Sequence, residues 1–228
     1  MMLKHFFLFL FILFSEIGFA QALPSDEIKI YDVTVLEIKN ITTNSGHKLY
    51  WGDLISRFIS NPDSLNEYEM TLLVYGFPFS KGYSPMRYLG YETKMVTLND
   101  DRKYSEAKKQ GDTLLTKNPI SIIGLEELAF TYSRLHDTLK ATSYNNRYEK
   151  LLAVLENSGD GNSPETAFVV TGLKDIYVLT QIKHMLMLGS KEVEKKNINY
   201  TIVKVFHKGK KKKVWFNTTL IKENGIKY

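Results

Sequence analysis

The 228 residues contain no cysteine. That removes disulfides, cysteine-based metal sites and the lipidated cysteine of a bacterial lipoprotein together. Histidine is scarce. Five are present, His5, His47, His136, His184 and His207, and no two stand at ligand spacing, so neither a metal nor a cofactor is expected. Glycine patterns are equally uninformative for phosphate chemistry. Gly159-Asp160-Gly161 lacks the Lys-Ser/Thr of a phosphate loop and the spacing of a dinucleotide fingerprint, and no Gly-x-Ser-x-Gly elbow occurs.

Long apolar runs are missing too, apart from Phe6 to Phe14. This stretch is about nine residues against the roughly 20 of a membrane-spanning helix, and Glu16 follows it closely. With Met1 to Lys4 before it and small residues at Gly18 and Ala20, it predicts a secretory leader over residues 1–20, cut after Ala20, or after Ala22 on the alternative small pair. The mature chain, residues 21–228, is then exported, to the periplasm or beyond the cell, with no stable membrane anchor. About 200 residues suffice for one core without disulfides, so a single mature domain is expected.

Charge is unevenly placed. The net formal charge of +5 survives loss of the leader, because Lys4 and Glu16 cancel, and much of the excess sits at Lys208 and Lys210 to Lys213. Counterion release rewards such clusters on polyanions, but a lysine-rich hairpin tip also guards a sheet edge. Export argues against a nucleic-acid partner.

Hydrophobic spacing divides the chain. Ile28, Ile30, Val33, Val35 and Ile38 suggest a lead-in strand over Glu27 to Asn40. Leu49, Trp51, Leu54, Ile55, Phe58 and Ile59 recur at helical spacing. A second helix starts at Ser64 with Glu67, or at Asn66 with Glu69, and ends near Gly76 before Pro78. Three helices are expected between Tyr104 and Leu155, broken at Asn118-Pro119 and Leu135-His136-Asp137. Leu125, Leu128, Ala129, Tyr132 and Ala141 fit the tetratricopeptide pattern, and its 34-residue period, run backwards, lands on Ala107 and Pro119. Ala167 to Val170, Tyr200 to Phe206 and Val214 to Thr219 read as strands, while Ile176 to Leu188 fits strand or helix. The expected fold is α+β: a helical array with tetratricopeptide-like pairs, about 45–157, then a small antiparallel sheet, about 163–222.

Three segments are candidates for binding. Tyr75, Phe77, Phe79 and Tyr83 form an aromatic loop stiffened by Pro78 and Pro85, suited to stacking on sugars or gripping a peptide, or else to folding inward. Ser158 to Asn162 offers Asp160 as a loop carboxylate; it fails the calcium-loop pattern, and the alternative is a turn entered through a left-handed Gly159. Glu126, Phe130 and Ser133 share a helical stripe distinct from that of Leu125, Leu128 and Tyr132, and would face a partner.

The chain resembles the secreted proteins of Gram-negative bacteria grouped as domain-of-unknown-function family 4919. The resemblance is carried by Leu49-Tyr50-Trp51 with Leu54 and Arg57-Phe58, Asp63-Ser64-Leu65, Glu67-Tyr68, Tyr75-Gly76-Phe77, Tyr83-Ser84-Pro85, Asn118-Pro119, Leu135-His136-Asp137, Ser158-Gly159-Asp160-Gly161, Thr166-Ala167-Phe168 and Val214-Trp215-Phe216-Asn217. Met86 and Leu173-Lys174-Asp175 depart from its pattern. It implies an exported bacterial protein of undefined activity and supplies no catalytic residues. The reading is a non-catalytic envelope scaffold for a protein or peptide; the alternative is an envelope hydrolase built around Asp160.

Overall fold

The structure, a computed structural model, describes residues 27–225. The leader expected over residues 1–20 lies outside the described residues. A two-stranded hairpin, β1 (Lys29–Ile30) and β2 (Val33–Thr34), opens the chain, and helix α1 (Val35–Thr43) follows without a break. The strand expected over Glu27 to Asn40 is corrected here. The Glu37 N–H donates to Thr34 Oγ1 (3.2 Å) and the Thr34 N–H to Glu37 Oε2 (2.8 Å), a capping box that starts a helix. Val35, Ile38 and Thr42 then fall on one buried helical stripe.

Helix α2 (Trp51–Ser60) buries Leu54, Ile55 and Phe58. Of the two possible caps for α3 (Glu67–Gly76), the chain uses Asn66 with Glu69, whose backbone and side-chain groups exchange hydrogen bonds of 2.9 and 3.0 Å. Glu69 also receives the Arg57 guanidinium at 2.8 Å. Every residue of α3 from Met70 to Gly76 is buried, so it is the central helix of the array.

Helices α5 (Tyr104–Lys117), α6 (Ile122–Arg134) and α7 (Thr138–Glu156) match the three expected. Helix α4 (Pro85–Asp100) has no counterpart in the expectations. Its buried stripe includes Glu92 and Asn99 as well as Tyr88, Met95 and Leu98, so the apolar period is broken where it matters. The polar members bond across to α6: Ser121 Oγ donates to Glu92 Oε1 (2.6 Å) and Thr131 Oγ1 to Asn99 Oδ1 (2.8 Å). Helix α4 packs on α5 and α6, and α6 on α7. The 34-residue offset that relates Ala141 to Ala107 also relates Tyr132 to Leu98, a signal in the sequence that points to this helix. The Leu128 and Met95 side chains fill the space over Gly111, where a Cβ would stand 2.7 Å from each.

The sheet has the order β3-β6-β5-β4, formed by β3 (Phe168–Val169), β4 (Leu186–Lys195), β5 (Ile198–His207) and β6 (Lys210–Asn217). Helix α8 (Asp175–Ile182) precedes β4, and α9 (Thr219–Gly225) ends the described chain. Two expectations change. Ile176 to Leu188 divides between α8 and β4, and the sheet is mixed, because β3 joins β6 in parallel while the other pairs are antiparallel. Val203, Val205, Val214 and Phe216 face the helices, and their side chains continue the hydrophobic core of α1 to α8 without interruption. Lys208 and Gly209, at φ 49° and 76°, make the two-residue turn between β5 and β6.

Candidate functional site

The aromatic segment is divided by its surroundings. Tyr75, in the last turn of α3, is fully buried, and its hydroxyl donates to the Val169 carbonyl at 3.2 Å. The Tyr83 hydroxyl, also buried, donates to the Thr171 carbonyl at 2.7 Å. Burial pushes both phenols above their ordinary range. In this conformation neither ring offers a face to a ligand. Phe77 stacks on Trp51 with centroids 5.3 Å apart and meets Tyr83 edge-on at 5.4 Å. Phe79 is half-buried, with Lys39 Nζ 5.7 Å from its ring centre.

Phe77 and Phe79 form part of the wall of an open cleft of about 550 Å³. Its other walls come from Thr42 and Thr43 at the end of α1, Tyr50 to Gly52 at the start of α2, Ser80 to Gly82, Thr116 and Lys117 at the end of α5, and Pro119 just beyond it. The indole of Trp51 is fixed by donating to the Leu73 carbonyl at 2.9 Å. Helix α2 begins at Tyr50 without a side-chain cap, and the Tyr50 ring lies so close over Gly52 that a Cβ there would stand 2.6 Å from it. Lys81 and Lys117 are exposed, and the lining holds no carboxylate. Ser80 Oγ is buried and has no hydrogen-bond partner among the described residues. The arrangement suits a ligand that is apolar along one side and negative at the rim. Sequence reading found Phe77 and Phe79 but not Trp51, Lys81 or Lys117, which stand far apart in the chain.

Asp160 lies in a loop closed on itself. Its Oδ1 accepts from Thr166 Oγ1 (2.5 Å) and the Asn162 N–H (2.8 Å), and its Oδ2 from Asn162 Nδ2 (2.9 Å). These bonds, the Thr166 hydroxyl first, hold its carboxyl below the usual range. The left-handed residue is Gly161, at φ 69°, not Gly159. Gly159 is required by contact instead, since a Cβ there would meet the Thr166 and Ala167 carbonyl oxygens at 2.5 and 2.6 Å. Ser158, two residues before Asp160, accepts at its Oγ from the N–H of Val169 at 3.0 Å, the residue whose carbonyl receives the Tyr75 hydroxyl.

On α6 the three stripe residues have different neighbours. Phe130 is exposed and lies edge-on to Tyr104 of α5 at 6.2 Å, with the Arg134 guanidinium 4.9 Å from its ring centre. Ser133 is exposed, and Glu126 is half-buried, its carboxyl raised by burial and by the charge of Glu127. The cleft lies elsewhere, on α1, α2 and the α5–α6 connection.

Two carboxyls that sequence reading did not single out are buried. Asp175 Oδ2 accepts the N–H groups of Thr171 (3.0 Å) and Gly172 (2.7 Å), tying the end of β3 to the start of α8. Burial pushes Asp175 up to about 7, against the pull of those two N–H groups and with the charge of Glu92 adding to it. Glu92 is raised as well, chiefly by burial, with the Ser121 hydroxyl opposing. A lone Asp after a polar turn gives no signal of burial. Among the described residues, no group of three or more His, Asp or Glu is placed to hold a metal ion, and no helix is long and apolar enough to cross a membrane.

No curated protein and no solved structure matches the chain. A family model does, over residues 36–225, which takes in the cleft, the Asp160 loop and the whole sheet; the chain belongs to the family described as Domain of unknown function (DUF4919).

Proposed function

We propose that this chain is an exported, non-catalytic binding protein of the cell envelope, whose cleft between α1, α2 and the α5–α6 connection holds an acidic segment of a peptide or protein partner. The observation that carries the reading is the composition of the cleft. Aromatic faces fixed by the core stand beside Lys81 and Lys117, no carboxylate competes with an incoming one, and the Ser80 hydroxyl has no partner among the described residues. A lysine pairs with a carboxylate as a mobile point charge, and stacked rings supply apolar area at little entropic cost. The leader in the sequence supports export. Asp160 is a poor candidate for a hydrolase, since both its oxygens are taken up by its own loop.

The test is selection of a displayed random-peptide library on the mature protein, followed by titration of Trp51 fluorescence, in a Trp215→Phe background, with the recovered peptides. Recovered sequences are expected to be rich in Asp and Glu beside apolar residues. Lys81→Glu with Lys117→Glu should weaken them about tenfold or more, on the scale of two charge-assisted contacts. Recovery of no binder, or of binders indifferent to that charge reversal, would sink the reading.

A further inference from the structure

The free end of the sheet is rich in lysine and poor in carboxylates. No Asp or Glu occurs between Asp175 and Glu192, nor between Glu194 and Glu223, whereas Lys204, Lys208 and Lys210 to Lys213 fall inside the second interval. Register decides where these side chains go. Leu186 pairs with Phe206 and Phe206 with Lys211, while Lys204 pairs with Lys213. Paired residues share a face and alternate residues return to it, so Leu186, Phe206, Lys204, Lys211 and Lys213 stand on one face.

At the tip, beyond the buried Ile202, that face is turned to water. Leu186 is 64% exposed and Phe206 43%, and Leu188, set in the irregularity between Met187 and Gly189, is 48% exposed. The opposite face carries Val203, Val205, Val214 and Phe216 into the core. Among the described residues none of the five lysines Lys204, Lys208, Lys210, Lys211 and Lys213 has an ion-pair partner. Glu192, the nearest carboxylate along β4, is held by Lys222 at 2.6 Å.

We infer that this end of the β4–β5–β6 sheet docks reversibly on a membrane surface of anionic phospholipid, with Leu186, Leu188 and Phe206 entering the headgroup layer and the lysines engaging lipid phosphates. The apolar side chains select this partner. A soluble polyanion satisfies the lysines but gives three exposed large side chains nothing to bury against, whereas a bilayer offers a negative layer directly over an apolar one. The contact is peripheral: three side chains and a handful of charges give weak, salt-sensitive binding.

The experiment is co-sedimentation of the mature protein with vesicles of phosphatidylcholine alone and of phosphatidylcholine mixed with phosphatidylglycerol, at low and at high salt. Sedimentation is expected only with the mixed vesicles at low salt. Lys210→Glu with Lys211→Glu and Lys213→Glu should abolish it, since each lysine near such a surface accounts for about fivefold in affinity. Leu186→Ser with Phe206→Ser should weaken it by at least about tenfold while every lysine remains. All these positions are exposed, so unchanged melting curves will show that the variants fold. Absence of sedimentation with mixed vesicles would overturn the inference. So would binding that survives the Leu186 and Phe206 changes undiminished, because a soluble polyanion is then sufficient.

Discussion

The aromatic segment at Tyr75 to Tyr83 and the lysine-bordered tip at Leu186 to Lys213 are both rich in large apolar side chains, and they meet opposite fates. In the first, the rings turn inward: Tyr75 and Tyr83 spend their hydroxyls on the carbonyls of Val169 and Thr171, and Phe77 is stacked between Trp51 and Tyr88. In the second, Leu186, Leu188 and Phe206 stay in water. The difference lies in neighbours. The turn after α3 has helices and the end of the sheet around it, whereas among the described residues no element packs over the outer face at the sheet tip. A hydrophobic side chain is buried where a second surface exists, and neither its own type nor that of its sequence neighbours decides this.

The sharpest way to break the comparison is Tyr75→Ala. A buried aromatic replaced by Ala costs about 3–5 kcal/mol, so denaturant unfolding should show a loss of that size. A loss under about 1 kcal/mol would mean that the Tyr75 ring is not part of the core. Tyr75→Phe, which removes only the bond to Val169, should cost about 1 kcal/mol.

The next effect links the two regions, since Asp175 ties the turn after β3 to the helix leading into β4, and the Tyr75 and Tyr83 hydroxyls donate to Val169 of β3 and to Thr171 of that turn. Its carboxyl lies near 7 in the folded chain against 3.8 ordinarily. Unfolding therefore releases a proton between those values: the contribution is favourable below about pH 4, is lost as pH rises through about 7, and is level above. Burial of Glu92 acts in the same direction. The full swing for Asp175 is of order 4 kcal/mol at most. Both N–H groups donate to a single oxygen, which an amide can replace. Asp175→Asn should thus flatten the fall in melting temperature between pH 4 and pH 8; an unaltered profile would show that the group is not buried in its charged form.

The smallest effect belongs to the tip. Leu186→Ser and Phe206→Ser should change stability by less than about 0.5 kcal/mol each, the range of exposed substitutions. A clear loss in thermal unfolding would mean that the tip is packed against something in solution, and would erase the contrast with the aromatic segment.

Legibility followed the same division between local and distant causes. Helices α2, α3, α5, α6 and α7 were readable because their signals are local: a cap, an apolar stripe, a breaker. The lead-in strand was misread because Val33, Val35 and Ile38 imitate alternation, and only the Thr34–Glu37 exchange shows where the helix begins. Helix α4 was missed because Glu92 and Asn99 occupy its buried stripe, satisfied by partners on α6 about thirty residues on. Strand β4 beyond Leu188 was missed because an edge strand wet on both faces has no apolar side to display. Phe77 and Phe79 were named in advance, but the cleft they line needed Trp51, Lys81 and Lys117 to be brought together.

By itself, the sequence determined the α+β class, most helix boundaries, the turn at Lys208-Gly209 and the family, because capping, periodicity and turn chemistry act over a few residues. Tertiary structure alone decided which of the aromatic residues are core, which carboxyls lose their water and where an open cleft remains. Those outcomes depend on what lies across a packed interface, and the residues that meet there are separated by tens of positions that no local pattern spans.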